Sequence, residues 1–460
     1  MLAIIAFAAA TTIFLTVLGG VHGFIWRASA DHTVACAFDF GACRPDTVAA
    51  WKRQISDPTS LAQFSTAYVA LLAAFASLLL IVPFVALAGS AARLAASRRD
   101  ARLAALRLAG ATTGQVVRLT ALDAAGQALI GALIGIAGYC ALMPAVMLIP
   151  FQEQRFTFEQ LWVGPLALVI TLAGVAILAL ISSLVTLRRV AITPLGVTSR
   201  TATALPSGTR MVLFVVVVVV AMIVFKNPAM LAQAGQAVMY GVIIGFMLLC
   251  FALVNLIGTW VITARAKAKA KRPKDAATMI AMRRILDNPK RAWRNVSGIA
   301  LAVFIAGITS ICGFFGSAAV VDDANDPFTV FIRDIGTGGI LTLVFAAVLA
   351  AVSSGVMQAG SVYDQAGEYR MLVLEGTDVK TLNRARFIEV LTPLNIVVIV
   401  AGGCSMLLMA PLFAASMTEP ATLASFFGGL VLCYALVSIG AFASNHVAAS
   451  LNLTDYRADD

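Results

Sequence analysis

The feature that most constrains this chain is a series of apolar runs of 18 or more residues that recurs along its whole length. Each run, as a helix, is long enough to cross a hydrocarbon core about 30 Å thick. A soluble fold would have to bury all of them in one core, and only 12% of the residues are charged and available to cover it. The sequence therefore predicts an all-α integral membrane protein. We expect about ten transmembrane helices, near 2–21, 66–89, 121–148, 161–186, 211–225, 237–262, 296–316, 338–360, 387–412 and 424–445.

The distribution of basic residues orients these helices. If both termini are cytoplasmic, 26 of the 33 Lys and Arg residues lie on the cytoplasmic side. An excess of Lys and Arg on that side sets the orientation of membrane proteins, so the asymmetry favours this topology and a multi-pass protein of the bacterial plasma membrane. It also accounts for the net charge of +10 without a nucleic-acid partner. The basic run from Arg265 to Lys274 is interpreted as a membrane anchor in preference to a specific site for anionic lipids.

The N-terminal region leaves two questions open. Ala28-Ser29-Ala30 follows the first apolar run and resembles a signal-peptidase site, but no basic residue precedes the run and the site lies well beyond its end. We therefore expect a retained helix, and the missing basic flank suggests a natural start further upstream. Cys36 and Cys43 lie in the first outer loop, where they either close a disulfide in an oxidising exterior, as we expect, or remain free thiols.

Two segments of the chain are similar to each other at a constant offset of 266 residues. Each follows a predicted span on its cytoplasmic side and leads directly into the next span. Five matches at one offset in the same topological place indicate an internal duplication. The matched pairs are Leu106 with Leu372, Leu108 with Leu374, Gly110 with Gly376, Arg118 with Arg384, and Asp123 with Glu389.

The first of these segments carries the pattern R-x3-L-R-x2-G-A-T from Arg102 to Thr112, with Asp123 opening the next span. This pattern resembles the FtsX-like permease domain, found in the membrane subunits of the MacB, lipoprotein-release and bacitracin-type ABC systems. The stretch 281–307 is similar to the basic elbow helix and first span that open the repeat of this family. The resemblance covers most of the chain.

The resemblance implies two four-helix FtsX-like repeats joined by two extra helices, in a 4+2+4 order. The expected domains are 1–190 for the first repeat with its coupling segment at 92–120, 191–264 for the linker with the fifth and sixth helices, 265–295 for a basic cytoplasmic amphipathic elbow helix, 296–446 for the second repeat with its coupling segment at 361–386, and 447–460 for a cytoplasmic tail. The first repeat departs from the family pattern because it lacks an elbow helix. The outer loops at 22–65 and 317–337 are also too small for the large extracytoplasmic domains of MacB relatives.

The resemblance further implies that the coupling segments dock onto an ABC ATPase. The residues expected to form this contact are Arg102, Leu103, Leu106, Arg107, Leu108, Gly110, Glu368, Tyr369, Leu372, Leu374 and Gly376. Gly110 would permit a turn with positive φ that redirects the chain into the next span. The alternative is that the arginines only anchor the helix to lipid headgroups.

No lysine in the chain follows a glycine, so the chain has no Walker A loop of its own. No catalytic motif, metal site or cofactor loop is expected in it, and ATP and Mg²⁺ would be bound by the partner ATPase, expected as a dimer. The predicted function is therefore that of an ABC transporter permease subunit, itself not an enzyme, which exports or extracts an amphipathic substrate such as a lipid, peptide antibiotic or toxin. Two alternatives remain: a mechanotransmitter acting on an outer partner, and an ion-coupled secondary carrier.

Overall fold

The computed structural model describes residues 2–28, 77, 84, 87, 110, 112–151, 154–191, 209, 212–213, 215–217, 219–220, 223, 236–318, 327–364, 371–372, 374–413 and 420–449. Within these residues the chain is helical almost throughout. We number the elements in chain order. They are α1 Leu2–Ala28, α2 Thr113–Met147, β1 Pro150–Phe151, β2 Gln154–Arg155, α3 Phe158–Leu161, α4 Gly164–Ala191, α5 Gln236–Lys271, α6 Ala276–Asp287, α7 Pro289–Ala318, α8 Pro327–Asp364, α9 Val379–Phe413 and α10 Pro420–Ala449.

The helices have the length and composition of membrane spans. Five stretches in the described part are long and apolar enough to cross a bilayer, namely Ala3–Arg27, Arg118–Met147, Phe158–Leu184, Arg333–Gln358 and Lys380–Leu407. The protein is thus an all-α, multi-pass membrane protein, as the sequence predicted. Long helices occupy eight of the ten predicted spans. The second and fifth spans fall largely outside the described residues, and their few described residues are helical.

Two regions differ in detail from the sequence prediction. The chain between α2 and α4 forms a two-residue antiparallel ladder of β1 with β2, followed by the short helix α3. The basic run assigned to the elbow splits between two elements, because α5 continues as a helix to Lys271 and the amphipathic elbow helix is α6. The elbow helix is therefore shorter than 265–295 and is followed after one residue by α7.

The chain divides into two compact units, Met1–Thr198 with Cys312–Phe345, and Ser199–Ile311 with Ala346–Asp460. In the first unit α1 packs against α2, and α2 against α4. A Cβ atom added at Gly131 would lie 2.6 Å from Cβ of Phe7, and one at Gly135 would lie 2.8 Å from the carbonyl oxygen of Ala8. The Gly131-x3-Gly135 pattern therefore provides close helix packing, as the sequence suggested, whereas Gly245 of the Gly241-x3-Gly245 pattern has no neighbour within 4 Å.

In the second unit α5, α6 and α9 pack against one another. The start of α7 is held against α5 by Trp293, whose indole ring is buried and fills the space that a side chain at Gly258 would occupy. Further along α7, Gly307 accommodates the buried side chain of Ser405 from α9. The membrane helices of this unit are thus joined at positions where glycine allows close approach.

Candidate coupling site

The second coupling segment ends its first helix in a well-defined turn. The amide of Glu375 donates to the carbonyl of Met371 (2.9 Å), and the amide of Thr377 donates to the carbonyl of Leu372 (2.9 Å). The bond from Thr377 to Leu372 spans six residues and closes a Schellman motif with Gly376 in the left-handed position, at φ +90°. Glycine adopts this conformation without the steric penalty that a Cβ atom brings. The turn therefore depends on Gly376.

The first coupling segment has the same turn geometry where it is described. Gly110 has φ +93°, which confirms the conformation expected from the sequence. Two residues later, Thr112 caps α2 through a capping box with Gln115. The helices α2 and α9 that follow the two turns start at Thr113 and Val379 and are both 35 residues long. The offset of 266 residues found in the sequence therefore also relates the starts and the ends of the two helices.

The turn at Gly376 exposes apolar side chains. Met371 is 63% exposed and Leu374 is 62% exposed, whereas Leu372 between them is partly buried. Both exposed residues lie just before the predicted ninth span, on its predicted cytoplasmic side, where water and not lipid surrounds a side chain. Glu375 and Gly376 beside them are also exposed. The helix end thus presents a small apolar surface with a carboxylate at its edge.

The start of α9 is connected to the elbow helix α6 through one carboxylate. Asp275 caps α6, and its Oδ1 accepts a hydrogen bond from the amide of Thr278 (2.9 Å). Its Oδ2 forms an ion pair with Nη2 of Arg384 on α9 (2.9 Å). The hydrogen bonds from Thr278, with a smaller contribution from the Arg384 charge, lower the pKa of Asp275 below its ordinary value. Asp275 is therefore ionised at neutral pH and joins the two helices.

A second ion pair joins the same two helices further along. Nη1 of Arg284 on α6 lies 4.0 Å from Oε2 of Glu389 on α9, and both side chains are largely buried. Between the two ion pairs, Ala281, Met282 and Ile285 of α6 are completely buried within the protein. The apolar face of α6 is thus covered by α5 and α9. The elbow helix is docked onto the protein and does not offer this face to the lipid surface.

The predicted outer end of the first unit is held by a buried arginine. Arg27 at the end of α1 is 3% exposed and donates hydrogen bonds to the carbonyls of Phe151 (2.8 Å) and Arg155 (3.2 Å). It also donates to Oε1 of Gln160 (3.2 Å), and its guanidinium lies 4.2 Å from the ring centre of Phe156. The Arg27 side chain therefore fastens the β1–β2 hairpin and α3 to α1.

Several residues proposed from the sequence lie outside the described residues. These are Arg102, Leu103, Leu106, Arg107, Leu108, Glu368 and Tyr369, together with Cys36 and Cys43. The structure places Leu372, Leu374 and Gly376 at one turn, and Gly110 at the matching turn. Among the described residues, no group of three His, Cys, Asp or Glu side chains is arranged to hold a metal ion.

Sequence reasoning missed the residues that connect the elbow helix to α9. Asp275 precedes an amphipathic stretch and has the position of an N-cap, a signal that could have been used. The partners Arg384 and Arg284 could not have been identified, because pairing across more than 100 residues leaves no local pattern. Arg27 was counted only as an outer basic residue, since its burial depends on the β1–β2 hairpin.

Comparison with known proteins gives one match. Residues 71–195 match the family model described as FtsX-like permease C-terminal. The matched range contains Gly110, all of α2 and all of α4. No curated protein matches the chain with significant similarity.

Proposed function

Residues 71–195 form an FtsX-like permease domain, and from this we infer that the chain is the membrane permease subunit of an ABC-type system, coupled at its two glycine turns to a separate ATPase subunit. ATP and Mg²⁺ would be bound by that partner, expected as a dimer. The energy of hydrolysis would drive export or membrane extraction of an amphipathic substrate.

The exposed apolar pair at the second turn is the observation that supports this coupling. Met371 and Leu374 are each more than half exposed at a helix end that lies outside the predicted spans. Apolar side chains held in water by a rigid turn gain free energy when a partner covers them, about 25 cal/mol for each Å² that is buried. The carboxylate of Glu375 beside them can pair with a basic group at the rim of a groove. A partner ATPase with an apolar groove fits this surface.

The connection from the turn into the membrane also supports coupling. The turn leads after two residues into α9, a helix of 35 residues. A helix of this length spans about 50 Å at 1.5 Å per residue, more than the thickness of the hydrocarbon core. A displacement of the turn is therefore carried along α9 to the opposite side of the membrane.

The proposed substrate class rests on the size of the outer connections. The outer loop between α7 and α8 is eight residues long, 319–326, because both helices extend beyond their predicted spans. The segment between α2 and α4 is tied down on α1 by Arg27. A protein cargo has little surface to bind there, so we propose that the substrate enters sideways from the bilayer. Photoreactive residues at Leu133 of α2 and Leu249 of α5, both exposed, should capture a lipid-like molecule; capture of none in either the resting or the ATP-driven state would contradict this route.

The ATPase coupling is tested by purifying the full chain from native membranes in mild detergent and measuring the ATPase that co-purifies. We expect Leu374→Asp to reduce the bound ATPase more than about tenfold, the loss that corresponds to 1.4 kcal/mol of binding free energy. Met279→Asp is the matched control, because Met279 is also an exposed apolar residue but lies on α6. A wild-type chain that purifies alone and still transports would refute the proposed function, and equal losses in both variants would refute the role of the turn.

A further inference from the structure

The two ion pairs between α6 and α9 carry an inference beyond docking. We propose that Asp275–Arg384 and Arg284–Glu389 are positioning contacts that make the elbow helix move as one body with the second coupling turn, and so transmit its displacement to α7. The proposal rests on the proposed function for the source of the movement. The clamp itself is a property of the chain and is testable without the ATPase.

The first pair places both functions on a single carboxylate. Oδ1 of Asp275 satisfies the start of α6, and Oδ2 holds Arg384. Arg384 lies eight residues after Gly376, two turns into α9. The N-terminus of the elbow helix is thus bonded to the part of α9 that lies nearest the coupling turn.

The second pair prevents α6 from pivoting about the first. Arg284 is nine residues after Asp275 along α6, and Glu389 is five residues after Arg384 along α9. Two separate contacts between two helices fix their relative angle, which a single contact leaves free. The buried side chains of Ala281, Met282 and Ile285 fill the space between them. Polar contacts thus set the orientation of a packed apolar surface.

The other end of α6 is joined directly to a membrane helix. Asn288 is the single residue between α6 and α7, and its amide donates to the carbonyl of Arg284 (3.3 Å). Proline at position 289 starts α7, as is common at the first residue of a helix. Trp293 one turn later is locked against Gly258 of α5. A shift of α6 is therefore passed to α7 and α5 with little slack.

A distance measurement between spin labels tests the clamp in the full chain in nanodiscs. Labels on cysteines placed at Met279 of α6 and Lys380 of α9, both exposed, report the relative position of the helices in a background with the native cysteines replaced. The combined variant Asp275→Asn with Arg284→Gln removes both ion pairs, while asparagine keeps the cap of α6. We expect one narrow distance in the wild-type chain and loss of that single distance in the combined variant.

Two further variants separate charge pairing from general damage. Exchanging the charges, Arg284→Glu with Glu389→Arg, should restore the narrow distance when Asp275 and Arg384 are intact. Arg283→Gln, on the exposed side of α6, should leave the distance unchanged. An unchanged distance in the combined variant would overturn the proposal, as would a charge exchange that behaves like simple loss of the pair.

The transmission step is measured with labels at Lys290 at the start of α7 and Lys380 on α9. In the complex with the co-purified ATPase, vanadate trapping should leave this distance constant in the wild-type chain, because the two helices move together. In the combined variant it should change, with the same amount of ATPase bound. A change in the wild-type chain would overturn the transmission. If no ATPase is bound to the wild-type chain, the proposed function fails, and the Met279–Lys380 distance still decides whether the clamp exists.

Discussion

Replacing Gly376 by alanine isolates the contribution of the left-handed turn. A Cβ atom at this position meets no heavy atom within 4 Å, so the substitution causes no overlap. The effect is then conformational, since φ is +90° and an L-residue in the left-handed region costs about 1–2 kcal/mol. A destabilisation of this size corresponds to a factor of about 5–30 in a local opening equilibrium.

Hydrogen exchange of the amides of Glu375 and Thr377 measures that opening, because both donate hydrogen bonds within the turn. We expect their protection in Gly376→Ala to fall about 5–30-fold, and Gly376→Asn to lose less because asparagine tolerates this conformation better. Gly403→Ala is the matched control: Gly403 lies in the interior of α9, also with no heavy atom within 4 Å of an added Cβ. Unchanged protection in Gly376→Ala, or a loss in Gly403→Ala of the same size, would refute the argument that the backbone conformation at Gly376 holds the turn.

Three further predictions concern packing, the outer hairpin and pH. Gly135→Ala should lower stability by about 1–3 kcal/mol because α1 leaves no space for the methyl group, while Gly126→Ala, with open space, should not; thermal melting in detergent distinguishes them. Arg27→Met should lower the melting temperature, by loss of about 1–3 kcal/mol, since it leaves buried carbonyls of the hairpin without their donor; an unchanged melting temperature would contradict this. Folding lowers the pKa of Asp275, so its stabilising effect is present above its unfolded-state pKa of about 3.9 and is lost as the pH falls through the lower folded value. Hydrogen exchange at Thr278 should therefore be independent of Asp275 ionisation at neutral pH and rise only in acid, and Asp275→Asn should remove that acid step.

The membrane class and most helix positions follow from the sequence because each span carries its own signal. An apolar run of 18 residues specifies a helix without reference to the rest of the chain. The turn at Gly376 was also predictable, since glycine after a run of helix-forming residues is a local stop signal. Its counterpart at Gly110 gave the same signal at the same offset.

The features that depend on distant contacts were not predictable. The extent of the elbow helix is one of them, because the break at Asn288 and the end of α5 at Lys271 are set by the packing of α6 on its neighbours. The β1–β2 hairpin is another, since its backbone is satisfied by a guanidinium more than 120 residues away in the sequence. A basic residue near the end of a span predicts a membrane anchor by composition, and only the fold makes Arg27 a buried hydrogen-bond donor.

The internal repeat extends to the charges that hold the elbow helix. Arg384 and Glu389 of α9 match Arg118 and Asp123 of α2 in sign and in spacing. Residues five apart do not face each other on a helix, where neighbours are three or four apart, so the members of each pair cannot satisfy one another. Each charge must be compensated from another element, and for α9 that element is α6. The duplicated unit therefore consists of a glycine turn together with two charges that require an outside partner, which is the arrangement expected of a lever that is held at its base and pushed at its tip.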